Sequence, residues 1–173
     1  MKNIINTLLI LFITISSFSQ QTPNTDDINH LTPFVGNWEW VNGNETFKVE
    51  IYLSETNYLE GHYELVQTDN TGTETVIYKS NKVLNSDIDF YYGPAIFGGS
   101  LDGIKFGALI ADNVLTGDGI HSRKRGSLGF TIQPISIGPI TATWKVTILM
   151  GMKSSDTPTE FTIPTDIVLT KVD

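Results

Sequence analysis

The chain has 173 residues and no cysteine. That absence excludes disulfides and a lipid anchor on an N-terminal cysteine. Stability must therefore come from a packed core. No apolar run after the first 19 residues is long enough to span a bilayer as a helix. No segment carries apolar residues at a period of 3.6, so amphipathic helices are missing too. Basic residues are scarce, with 11 Lys and Arg against 19 Asp and Glu. An acidic balance of this kind disfavours nucleic acid and anionic lipid as partners.

What is present begins with an export pattern. Met1-Lys2 gives a short positive start, and Ile4 to Ile15 is mostly Ile, Leu and Phe. Ser17 and Ser19 are small residues at the two positions that a cleavage after Ser19 requires. Residues 1–19 therefore read as a signal peptide, and the chain as secreted or periplasmic. Cleavage leaves all 19 acidic residues and 10 of the 11 basic ones, a net charge of −9. Residues 20–30 (QQTPNTDDINH) read as a flexible polar leader, and 31–173 as one domain. With roughly 154 residues after cleavage, a sizeable core is within reach.

Period two then dominates. Phe47, Val49, Ile51 and Leu53 share one face, and Lys48 and Glu50 the other. Leu59, Gly61, Tyr63 and Leu65 alternate with Glu60, His62 and Glu64. Glu55-Thr56-Asn57 and Asp69-Asn70-Thr71-Gly72 mark turns. Thr75 to Lys79 is a third run. Ile104, Phe106, Ala108 and Ile110 line one face of a fourth, with Val114 to Ile120 as its expected partner across an Asp112-Asn113 turn. Ser127 to Gln133, Thr141 to Met150 and Asp166 to Val172 follow. Arg123-Lys124-Arg125 reads as a solvated loop tip. Ile96-Phe97 and Pro134 to Pro139 read as apolar stretches in broken, loop-like segments. About eight to ten short strands separated by turns predict an all-β antiparallel up-and-down barrel, with a sandwich as second choice. Closure would also remove exposed sheet edges.

Gly36-Asn37-Trp38 is a G-x-W at the start of the first strand. With Leu59-x-Gly61-x-Tyr63, Trp144 and the closing Thr170-Lys171-Val172, it resembles the calycin group of lipocalins, fatty-acid-binding proteins and avidins. That resemblance implies a barrel in which Gly36 lets the chain turn tightly and Trp38 packs across one end. The avidin pattern implies ligand contacts at Tyr63, Trp144 and Asp166, with Trp40 and Glu45 nearby. A charged Glu45 facing a neutral urea-like ligand would be poorly paired, which argues against biotin. The layout is also similar to uncharacterised families of small exported flavobacterial proteins, which share a signal ending in Ser-Gln and an Ile163-Pro164-Thr165-Asp166-Ile167 segment.

Catalytic patterns are weak by comparison. Asp118, His121 and Ser122 hold the letters of a triad without a strand-turn-helix elbow. Glu60, His62 and Glu64 have spacing that two metal ligands could use, but Lys48 and Glu50 mark the same wall as a solvated face. Gly98-Gly99-Ser100 and Gly117-x-Gly119 lack the remainder of any phosphate-binding motif. Asn44-Glu45-Thr46 fits a glycosylation acceptor. No catalytic residue, metal or cofactor is expected. Two functions are expected: a non-enzymatic module holding a small apolar or amphipathic ligand in its barrel, or an interaction protein of the envelope or medium with a filled core.

Overall fold

A computed structural model describes residues 28–81, 93–114, 124–134, 137–149 and 160–172. Nine strand segments are present: β1 Gly36–Asn42, β2 Glu45–Leu53, β3 Leu59–Thr68, β4 Glu74–Lys79, β5 Ile96–Ser100, β6 Lys105–Asp112, β7 Lys124–Ile132, β8 Thr141–Ile148 and β9 Asp166–Val172. The expected antiparallel barrel is found, closed at eight wall positions by pairings of β1 with β9 and of β2 with β3.

Nine segments fill eight positions because one wall strand is broken. β3 pairs with β4 through Glu64 to Thr68 and with β5 through Leu59 to Gly61. Ser80 donates its N–H to the Tyr63 carbonyl at 2.8 Å, and Ile96 already stands opposite Gly61. The chain thus leaves the wall after Ser80 and rejoins it two rungs further along β3. Ile96, expected in a loop, is a fully buried strand residue as a result.

The alternation read from sequence sets the interior. Phe47, Val49 and Ile51 on β2, Leu59 and Tyr63 on β3, and Phe106 and Ile110 on β6 are all buried. The hairpin from β1 to β2 keeps perfect register from Gly36–Ile51 to Asn42–Glu45. It closes through Gly43 at φ 64°, where a two-residue loop favours glycine at its first position. Asn42-Gly43 therefore leaves Trp40 in register, opposite Phe47 and half-buried.

Three further sequence expectations change. Ile104 lies in the turn before β6 and is exposed, so the inward face of that strand begins at Phe106. The partner of β6 is β7, paired from Asp112–Lys124 to Lys105–Thr131. The run expected to pair there, 114–120, lies outside the described residues beyond Val114. Lys124 is correspondingly no loop tip: it opens β7 and is buried. Its position has the same parity as Gly126, Leu128 and Phe130, which points it inward.

Candidate functional site

The interior is occupied by rings in contact. Phe34 meets Phe106 at 5.6 Å between centroids and Phe130 at 6.0 Å. Phe130 meets Trp38 edge-on at 4.9 Å and Trp144 at 6.4 Å. Trp144 meets Phe47 at 5.6 Å, Phe47 meets Tyr63 at 5.8 Å, and Tyr63 meets Tyr78 at 6.4 Å. This continuous chain runs through the space that a lipocalin-like ligand would need. Edge-to-face geometry at these separations is favourable beyond the area it buries.

One end of the barrel is plugged by the segment ahead of β1. A short 3-10 turn, Thr32–Phe34, drops Phe34 into the core. Trp38 is fully buried and its Nε1–H donates to the Phe34 carbonyl at 2.9 Å. Gly36 adopts φ 129°, and a Cβ there would lie 3.1 Å from Lys171 Cε. Lys171 folds over this end, its Nζ 3.1 Å from the Pro33 carbonyl and 5.4 Å above the Trp38 ring.

The opposite end is polar inside. Tyr63 donates its hydroxyl proton to the Ala111 carbonyl at 2.8 Å and accepts the Asn113 N–H at 3.2 Å. Asn113 Nδ2 donates to the Ser80 carbonyl, and Ser80 Oγ accepts the Tyr63 N–H, each at 2.8 Å. His62 Nδ1 lies 3.3 Å from the same hydroxyl, and burial lowers its pKa from the usual imidazole range. Asp112 is buried at the rung of Lys124, and its carboxylate accepts the Thr162 N–H at 2.5 Å. Phe161 lies 4.4 Å below the Lys124 ammonium and occupies space beside Gly126, where no Cβ would fit. Ile163 is buried, and the Pro164 carbonyl accepts the Trp144 Nε1–H at 2.8 Å. Residues 160–164 thus form a strap at this end, and the Ile-Pro-Thr-Asp-Ile segment runs from it into β9, where Asp166 and Ile167 pair with Lys145 and Trp144.

Tyr63 and Trp144 are therefore brought together through Phe47, with Trp40 opposite Phe47 on the same rung and half-buried. Asp166 is not brought to them: it is exposed, on the outward rung of Lys145. Glu45 closes the β1–β2 turn. Asp118, His121, Ser122 and Gly117-x-Gly119 lie outside the described residues. Among the described residues no three His, Asp or Glu are grouped to hold a metal ion. Sequence reasoning missed Asp112, Asn113, Ser80 and Lys124. The signal was available for two of them, since Asp112 and Lys124 continue the inward parity of their strands.

Outside, on β1 to β4, the rungs Glu39–Lys48, Lys48–Glu64 and Glu64–Lys79 form a ladder of alternating charge. Lys48 also bonds Glu74 at 2.7 Å; that bond raises its pKa, with Glu39 and Glu64 adding to it. The ladder floors a shallow depression of about 420 Å³.

The polar end has a pH signature. Burial, with Asp112 adding, pushes the Tyr63 phenol far above its ordinary value, and burial also raises Tyr78. In the unfolded chain both ionise near ~10. The stability held by the neutral phenols is complete below that pH and is lost as pH rises beyond it. Unfolding midpoints should fall steeply above pH ~10, and Tyr63→Phe should flatten that limb. An unchanged limb in the variant would show that Tyr63 is not its source.

Residues 1–94 match a family profile described only as "Family of unknown function (DUF6705)", which is more than half of the chain. No curated protein and no solved structure matches. The chain belongs to that family of unknown function.

Proposed function

We propose, taking that membership as the premise, that this is an exported, non-enzymatic interaction module whose barrel is filled and whose outer surface does the binding. The observation that carries this reading is the unbroken chain of rings from Phe34 to Tyr78. Eight-stranded barrels are narrow enough for side chains alone to fill them. Export rests on residues 1–19, whose removal would leave a chain starting at Gln20. Intact-mass measurement of material recovered outside the cytoplasm tests that part; retention of residues 1–19 in a membrane fraction sinks it.

A second reading places a small apolar or amphipathic ligand at the polar end. It is favoured by Trp40, which is half-buried beside Phe47 and near the Tyr63–Trp144 floor. A dansyl-labelled fatty acid separates the two. The filled barrel predicts no saturable quenching of tryptophan fluorescence. Saturable quenching that Trp40→Ala abolishes would replace it with the ligand reading.

A further inference from the structure

The charge ladder outside β1 to β4 has a symmetry that its order decides. Across the four strands it runs Glu39, Lys48, Glu64, Lys79, so the two signs alternate an even number of times. Such a run, read backwards, is its own complement. We infer that this wall docks against the same wall of a second copy of the chain, about a two-fold axis that lies along the strands between β2 and β3.

That axis reverses the order of the strands and keeps every rung at its own level, so register fixes the facing residues. Glu39 faces Lys79 of the second copy, and Lys48 faces its Glu64. One step along the face towards the plugged end, Glu50 faces His62, and one step further Tyr52 faces Glu60. One step towards the polar end, Val41 faces Val76. These two are 64% and 51% exposed, and the contact covers each with the other. An axis along the rungs would instead set Glu39 on Glu39 and Lys48 on Lys48.

Charge complementarity favours a second copy over another occupant. The outward carboxylates of these strands are Glu39, Glu50, Glu60, Glu64 and Glu74, against Lys48 and Lys79. The wall is thus net acidic, and two copies repel each other in most orientations. About this axis no carboxylate faces a carboxylate. Glu39 and Glu64 face lysines, Glu50 an imidazole and Glu60 a phenol. Glu74 is held at 2.7 Å by Lys48 of its own chain and faces the Gly43-Asn44 turn. The wall is also hollowed here, by the depression of about 420 Å³ lined by Glu39, Lys48, Glu50, His62 and Glu64. Aligned sheets pack ~10 Å apart, a gap that a lysine and a glutamate span together.

The inference rests on the proposed binding by the outer surface and names the partner. The two fail separately: a monomeric chain removes the second copy, and a saturable interior ligand removes the filled barrel. Sedimentation velocity over a concentration series tests it. Wild type should pass from monomer to dimer, and added salt should weaken the dimer. E39K and K79E each set like charges on both sides of the axis and should raise the dissociation constant about tenfold or more. Mixed in equal amounts, the two variants should recover the wild-type dimer. The E39K site of one chain then faces the K79E site of the other, and the unchanged Lys79 faces the unchanged Glu39. Any cost of the new charges within one chain is the same alone and mixed, so recovery isolates the contact across the axis. Both sites lie on the outer wall, so unfolding midpoints should stay near that of wild type. K145E, on the outward face of β8, should associate like wild type. Five results would overturn the inference: a monomer at every concentration, a dimer indifferent to salt, single variants that associate like wild type, a mixture that stays monomeric, or a dimer that L101E abolishes and E39K leaves intact. The last would move the contact to the plugged end.

Discussion

Trp38→Ala should lower the unfolding midpoint more than any other single truncation on β1. Its indole is fully buried, edge-on to Phe130, bonded to the Phe34 carbonyl and roofed by Lys171. Removing a buried aromatic of this size costs ~3–5 kcal/mol. Orphaning the Phe34 carbonyl adds to that loss, because the plug is then held by its packing and the Lys171 bond to the Pro33 carbonyl. A domain of this size has only ~5–15 kcal/mol to lose. Trp40→Ala supplies the contrast two residues on. Trp40 is half-buried at the other end of the same strand face, and the barrel should lose less than half as much. Denaturant curves of both variants measure this. If Trp38→Ala leaves the midpoint in place, the plugged end does not hold the fold.

Gly98→Ala should be the most damaging one-methyl change in the barrel. Gly98 faces inward opposite Ala108, and a Cβ would fall on the Gly107 carbonyl, 2.6 Å from Ala108 Cα and 2.7 Å from its Cβ. Those atoms belong to the paired strand, so relief requires β5 and β6 to separate. Overpacking typically costs ~1–3 kcal/mol, and a backbone obstacle puts this site at the upper end. Gly99, the next residue, points outward with nothing within 4 Å of its built Cβ. Gly99→Ala should be neutral or stabilise by up to ~1 kcal/mol, as expected where alanine fits without strain. Thermal unfolding of the pair isolates the wall contact from the general effect of glycine. Equal midpoints would mean that the two strands part without cost.

Much of the barrel was legible because period two is a local property. Phe47, Val49 and Ile51 could be placed on the inner face from their spacing alone, and β9 was read with both its ends correct. The aromatic floor at Trp38 was legible from Gly36-x-Trp38. What stayed hidden depends on pairing between distant strands. Nothing in the run from Ser80 to Ile96 says that its two ends return to the same edge of β3. Asp112 and Lys124 were read as turn and loop because charge normally marks solvent. Their burial depends on meeting each other at one rung and meeting Thr162 and Phe161 from the strap. The Tyr63–Asn113–Ser80 network was hidden for the same reason, since its three members come from three separate segments.

The broken wall between Ser80 and Ile96 makes the barrel divisible. Departure at Tyr63 and return at Gly61 lie two rungs apart on β3, so the span to be bridged stays short whatever lies between them. Doubling the length of such a bridge adds only ~0.6 kcal/mol of closure entropy. A foreign sequence spliced between Asn81 and Gly93, or new termini opened there with the old ones joined, leaves every described ladder in place. The family match stops at residue 94, one residue before the wall resumes with Ala95 bonded to Ala111. The seam is thus where two separately expressed halves should reassemble, each carrying complete strands to the other.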